Sequence, residues 1–128
     1  MSYYIARTVA GGFDKTVERV VDALKQEGFG VLTEIDVSNT MKQKLGVDFR
    51  KYRILGACNP SLAHKALTAD DKVGVMLPCN VIVQELKPGQ VEVAAIDPMA
   101  AMARVGNAAL EGIAREVAEK LNRAVQAV

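Results

Sequence analysis

Two long segments of the chain repeat apolar residues with the spacing of an amphipathic helix. The first carries a stripe made of Val17, Val20, Val21 and Leu24. The second runs to the end of the chain, and its stripe is made of Leu110, Ile113, Ala114, Val117, Ala118, Leu121 and Val125. Asp14 is suited to cap the first helix, and Gly28 is suited to end it. The pattern therefore predicts two long helices, each with one face towards a core.

The remaining apolar residues alternate with polar ones or form short β-branched runs, which predicts strands. The predicted strands cover residues 3–9, 29–37, 52–56, 73–77, 81–86 and 91–95. Pro78 marks an edge, a bulge or a break between the segments 73–77 and 81–86. Residues 38–46 are polar, and either a short helix over 40–45 or a loop fits them. Asn59-Pro60 and Asp97-Pro98 each place a capping side chain before a proline, which predicts two further helix starts.

This order of elements predicts an α+β fold, an antiparallel sheet of about five strands with the two long helices on one face and short connecting helices. Residues 1–128 suit a single domain. The opposite face of the sheet is predicted to carry Leu32, Met76, Ile82 and Leu86 among charged residues. Such a face is too apolar for solvent, so we expect a partner, most simply a second copy in a two-fold homodimer.

Composition narrows the classes of function. The formal net charge is +1 and aromatic residues make up 5% of the chain, so neither charge nor stacking favours nucleic acid as a partner. Apolar runs stay well below the roughly 20 residues that span a bilayer, and the N-terminus lacks the features of a secretion signal. We therefore expect a cytoplasmic protein with no membrane partner, in which both cysteines are reduced thiols.

Several short motifs are distributed over nearly the whole chain. The most specific are Ala57-Cys58-Asn59-Pro60 and Leu77-Pro78-Cys79-Asn80-Val81, and the others are Gly28-Phe29, Ile35-Asp36, Ile54-Leu55-Gly56, Leu67 and Ile96-Asp97-Pro98. Together these motifs resemble the domain-of-unknown-function 302 family. The resemblance implies a small bacterial or archaeal protein, usually a dimer. It also implies a fold similar to that of the TATA-box-binding protein, with one strand, a helix, four strands and a helix. A shared fold does not imply DNA binding, and the family brings no settled activity.

The two cysteine motifs are the candidate chemistry. Cys58 directly precedes a helix N-terminus, where the positive end of the helix dipole favours a thiolate. A free cysteine at such a position is nevertheless more often a small core residue. Cys79 follows Pro78 in an apolar run, which favours a buried thiol.

Strand register decides whether the two thiols meet. If the strand at 50–58 pairs directly with 73–79, the thiols lie on the order of 15–20 Å apart, which is too far for a disulfide. If the strand at 50–57 pairs instead with 80–86, both thiols lie at the same end of the sheet. The sequence leaves both registers open.

His64 is the single histidine of the chain, and an exposed position on the short helix is sufficient to explain it. The alternative is a metal site formed with Cys58 and Cys79, because two thiolates and one imidazole suit a soft metal or an open zinc site. The spacing of these three residues matches no standard zinc pattern.

Three hypotheses from different classes follow. The first is a thiol-based module that uses Cys58 and Cys79 in redox relay, sulfur handling or soft-metal binding. The second is a non-catalytic module that binds a small ligand in an apolar cavity between sheet and helices. The residues expected to line that cavity are the strand valines and Ala108, Ala109, Ala114 and Ala118. The third is a dimeric scaffold with structural cysteines. The sequence identifies neither a reaction nor a cofactor.

Overall fold

The computed structural model describes residues 2–128, which form an antiparallel sheet with helices packed against it. The strands are β1 (Tyr4–Ala10), β2 (Gly30–Asp36), β3 (Tyr52–Cys58), β4 (Cys79–Lys87) and β5 (Gln90–Ile96). The helices are α1 (Phe13–Gln26), α2 (Val37–Leu45), α3 (Pro60–Ala69), α4 (Pro98–Met102) and α5 (Ala108–Gln126), with a 3₁₀ helix at Asp71–Met76. The sheet order is β1-β5-β4-β3-β2.

The predicted fold class is confirmed, because every neighbouring pair of these strands is antiparallel and the two long helices contact each other and the sheet. Alternate side chains of the central strands point towards the helices, and those side chains are the most deeply buried ones of the sheet. The fully buried strand residues are Leu55, Val81, Val83, Val91 and Val93. From the helices, Leu24 and Leu121 meet them in one continuous core. Burying a side chain of this size stabilises the fold by about 1.5–3 kcal/mol.

Residues 73–76 belong to the 3₁₀ helix, and Leu77 is its C-cap, so the predicted strand over 73–77 is wrong. The Asp70 carboxylate accepts a hydrogen bond from the Lys72 N–H at 3.0 Å and caps the first turn. Val73 is buried against Ala66 of α3 and Leu110 of α5. The β propensity of the valines favours a strand here, but the burial of Val73 against these helices stabilises the 3₁₀ helix instead.

Two helix starts also differ from the prediction. The N-cap of α1 is Gly12, which makes no side-chain hydrogen bond, and Asp14 lies inside the first turn. The helix α2 covers Val37–Leu45, so it begins earlier than the predicted 40–45. The Asp36 side chain caps α2 by accepting a hydrogen bond from the Asn39 N–H at 3.0 Å.

A β-bulge in β2 changes the predicted facing of that strand. Val31 pairs with Ala57, and Glu34 pairs with Leu55, with the register shifting between Val31 and Thr33. Because the bulge inserts one extra residue, Glu34 lies on the same side of the sheet as Val31, whereas simple alternation predicts opposite sides. Glu34 there accepts a hydrogen bond from Arg53 at 2.5 Å.

The face of the sheet opposite the core carries fewer of the predicted apolar residues than expected. Met76 belongs to the 3₁₀ helix and not to the sheet. Ile82 pairs with Ile54 on this face, and both are half-buried. Within residues 2–128, no helix combines the length and the apolar character needed to cross a bilayer.

Candidate functional site

Strand register brings the two cysteine motifs to the same end of the sheet. β3 and β4 are antiparallel neighbours, with Tyr52 opposite Gln84 and Ala57 opposite Cys79. Of the two registers that the sequence allows, pairing of 50–57 with 80–86 is therefore the one that forms. Cys58 is the residue that follows Ala57, so the two cysteines lie one position out of register at the same end of the strand pair.

A cavity of about 290 Å³ opens where these strand ends meet the helices. Ala57, Cys58 and Cys79 form the strand side of its wall. Leu62, Ala63 and Ala66 of α3 form a second side. Leu110, Ile113, Ala114 and Val117 of α5 form a third side, and Pro98 and Met102 of α4 close the rest. In the part of the chain that the structure describes, no charged side chain lines this cavity.

The N-terminus of α3 is fixed against the cavity by local sequence. Asn59 is the N-cap, and its side-chain oxygen accepts the Leu62 N–H at 3.4 Å, while Pro60 occupies the first turn. Gly28 has φ +86° and a Cβ there would approach the Asn59 amide nitrogen to 3.1 Å. Glycine is therefore needed at position 28, both for its left-handed backbone and for the close approach of Asn59.

The side-chain amide of Asn107 connects the C-terminal end of α3 to the start of α5. The Asn107 side-chain oxygen accepts the Ala109 N–H at 3.0 Å, and its nitrogen donates to the Ala69 carbonyl at 3.3 Å. These two hydrogen bonds hold the helices that form opposite walls of the cavity.

The rim of the cavity lies beside β2. Leu32, the residue displaced by the bulge, lines the cavity yet is 69% exposed, so the cavity reaches solvent at this point. Thr33 and Pro78 continue the rim. They pack over Gly56, where an added Cβ would lie 2.1 Å from Thr33 Oγ1 and 2.8 Å from Pro78 Cγ. The rim therefore depends on the absence of a side chain at Gly56.

The environments of the two thiols differ. Cys79 packs against the main core, and burial raises the pKa of its thiol to about 11, with a smaller contribution from the charge of nearby Cys58. Cys79 is consequently a neutral thiol at physiological pH. Cys58 is half-buried, belongs to neither buried core cluster, and directly precedes the N-cap of α3.

His64 lies apart from this arrangement, exposed on α3 and outside the cavity wall. Across residues 2–128 the structure brings together no group of three or more His, Cys, Asp or Glu side chains that could hold a metal ion. The three-residue metal site considered from Cys58, Cys79 and His64 is therefore not assembled.

Sequence reasoning anticipated an apolar cavity between sheet and helices but misplaced most of its wall. Of the four predicted alanines, Ala114 lines the cavity, and Ala108, Ala109 and Ala118 do not. The buried strand valines also lie outside it. The residues missed include Ala63 and Ala66 of α3. Their i, i+3 spacing after the Asn-Pro helix start is a usable signal for a helix with room on one face.

The comparisons with known proteins agree with this architecture. A family model described as "Domain of unknown function DUF302" matches residues 5–128. The fold is similar to the crystal structure of an uncharacterized conserved DUF302 protein from Bacillus stearothermophilus. That similarity has a TM-score of 0.91 at 30% sequence identity, and it covers 99% of this chain and 98% of that one. Among curated proteins, none matches the sequence.

Proposed function

The chain belongs to the DUF302 family, and we propose that it is a binding module for a small apolar ligand, held between α3, α5 and the adjoining ends of β3 and β4. The observation that carries the proposal is the cavity of about 290 Å³, bounded by apolar side chains and reaching solvent beside Leu32. Small-ligand sites are concave and mostly apolar, so a solvent-connected apolar cavity of this size is where we expect a ligand to bind.

The volume limits the size of the ligand. Ligand pockets span roughly 300–1,000 Å³, and this cavity of about 290 Å³ lies just below that range. An engineered apolar cavity of roughly 150 Å³ binds benzene, so the present cavity suits a ligand of one or two small rings, or a branched aliphatic group of similar bulk. Each buried methylene of the ligand contributes about 0.8 kcal/mol of transfer free energy.

The few polar groups on the wall would orient such a ligand. They are the Thr33 hydroxyl, the Asn59 side chain and the thiols of Cys58 and Cys79. None of these residues has an acidic carboxyl group or a basic side chain, which favours a neutral ligand with at most one or two hydrogen-bonding atoms. An ionic ligand would lose its hydration without gaining a charged partner.

A thiol-based module is the second candidate function, because Cys58 and Cys79 both line the cavity at neighbouring strand ends. The raised pKa of Cys79 counts against redox relay between them, since the thiolate and not the thiol attacks a disulfide or binds a soft metal. Binding therefore has the stronger support, with the thiols as part of the wall.

Indole is a suitable probe, because it is neutral and matches the cavity in size. Its fluorescence can also be followed without a protein background of the same chromophore, since the chain contains no tryptophan. We expect the wild-type chain to bind indole. Ala63→Leu should weaken binding by about tenfold or more, because the added carbons occupy the cavity. Ala69→Leu is the matched control, since Ala69 lies on the same helix, is exposed and does not line the cavity.

Fluorescence titration of the three proteins measures the effect. Equal affinity in the wild type and Ala63→Leu would place indole elsewhere and remove the basis of the proposal, as would the absence of saturable binding of indole to the wild type. Circular dichroism of each variant establishes that the fold is retained.

A further inference from the structure

The two thiols on the cavity wall point to the chemical class of the ligand. Resting on the binding function proposed above, we infer that the cavity takes small apolar electrophiles with an activated carbon–carbon double bond and captures them on Cys58. The feature that carries this inference is one accessible thiol set in an apolar wall that lacks charged side chains in the described chain.

Cys58 and not Cys79 is the attacking residue. Cys79 is the first residue of β4 and packs against the main core. Its thiol stays protonated near neutral pH, because burial raises its pKa to about 11. Cys58 is the last residue of β3 and is half-buried on the cavity wall. Both cysteines are half-buried and line the cavity, but only Cys79 packs against the main core, so we expect a ligand in the cavity to react at Cys58.

The start of α3 supports negative charge beside this sulfur. Cys58 precedes the N-cap residue of a ten-residue helix, and the free N–H groups of a first turn carry partial positive charge. That field favours the oxyanion of the enolate that forms when the sulfur adds to an unsaturated carbonyl compound.

The addition is balanced without any further reactant. The Cys58 sulfur forms a bond to the β-carbon, the π bond of the alkene breaks, and its electron pair moves towards the carbonyl group. The α-carbon then takes up one proton from solvent, replacing the proton that Cys58 released. Nothing is oxidised or reduced, and the product is a thioether.

The apolar wall makes the capture selective. A matched pair of probes with the same reactive group tests this, namely N-cyclohexylmaleimide, which is neutral, and 3-maleimidopropionate, which is an anion. N-acetylcysteine, measured alongside, gives the intrinsic reactivity of each probe. Relative to that reference, we expect the protein to react about tenfold or more faster with the neutral probe, because the ring is buried during attack.

Peptide mapping by mass spectrometry identifies the modified cysteine, which we expect to be Cys58. Saturating indole should slow the neutral probe in the wild-type chain, a measurement that needs no variant. Ala63→Leu should bring the ratio of the rates with the neutral and anionic probes back towards the ratio found for N-acetylcysteine. Ala69→Leu should keep the wild-type ratio.

The outcomes separate this inference from the binding function. If indole binds in the cavity but Cys58 shows no preference for the neutral probe, or if Cys79 reacts first, electrophile capture is wrong and the binding function stands. If Ala63→Leu abolishes indole binding yet leaves the preference intact, the reaction occurs outside the cavity and the inference is again wrong. If indole does not bind at all, both proposals fail.

Discussion

Gly56 shows how one residue without a side chain shapes the entrance to the cavity. It lies in β3 opposite Thr33 of β2 and Asn80 of β4, with Pro78 packed over it. An added Cβ would meet Thr33 Oγ1 at 2.1 Å and Pro78 Cγ at 2.8 Å. Contacts that close force neighbouring groups to move, and overpacking of this kind typically costs about 1–3 kcal/mol.

Gly56→Ala is therefore expected to lower the free energy of unfolding by about 1–3 kcal/mol. Gly30→Ala is the matched control, because Gly30 lies in the neighbouring strand with nothing within 4 Å of an added Cβ. Denaturant unfolding of both variants measures the difference. Equal stability of the two variants would show that the rim repacks freely around position 56.

The burial of the Cys79 thiol makes the free energy of unfolding depend on pH in the alkaline range. The folded state holds the thiol proton more tightly than the unfolded chain does, because burial raises the pKa from an ordinary value of 9.0 to about 11. The stabilisation is therefore complete below about pH 9 and is lost as the pH rises towards about 11.

The expected loss is roughly 2–3 kcal/mol across that interval, because one pKa unit corresponds to about 1.4 kcal/mol. Lysines and tyrosines titrate in the same range, so the quantity to follow is the difference in unfolding free energy between wild type and Cys79→Ala at each pH. That difference should fall as the pH rises. A constant difference would mean that the folded state does not perturb this thiol.

Among the elements, α3 and α5 depend on each other through Asn107, which caps α5 and donates to the last carbonyl of α3. Asn107→Ala removes both hydrogen bonds and should destabilise the chain by about 1–2 kcal/mol. Asn107→Asp keeps an acceptor at the cap but loses the donor to Ala69, so we expect intermediate stability. Thermal unfolding ranks the three proteins, and an Asp variant no more stable than the Ala variant would assign the whole effect to the contact between the helices.

Local pattern was sufficient for some elements and not for others. The stripes of α1 and α5 are continuous over several turns, so periodicity alone predicted both helices. The bulge at Leu32 and the 3₁₀ helix around Val73 depend on neighbours distant in sequence, namely the β3 pairing and the contacts with Ala66 and Leu110. The candidate site has the same origin, since Cys58 and Cys79 meet through strand register, which no local pattern encodes.

For the whole molecule, the face of the sheet away from the helices is where a second copy is predicted to bind. Ile54 and Ile82 lie opposite each other on this face, half-buried. Light scattering should give the mass of a dimer for the wild-type chain and of a monomer for Ile82→Lys. Val75→Lys, at an exposed position on the 3₁₀ helix, should leave the mass unchanged. A monomeric wild type would contradict the prediction.

The proposed ligand occupies the cavity between α3, α5 and the ends of β3 and β4, and methyl NMR of the wild-type chain titrated with indole locates it. We expect saturable shifts concentrated on the methyl groups of Ala63, Ala66 and Ala114, which line the cavity. Shifts that leave these three unchanged and fall on exposed residues such as Val75 or Leu45 would contradict it.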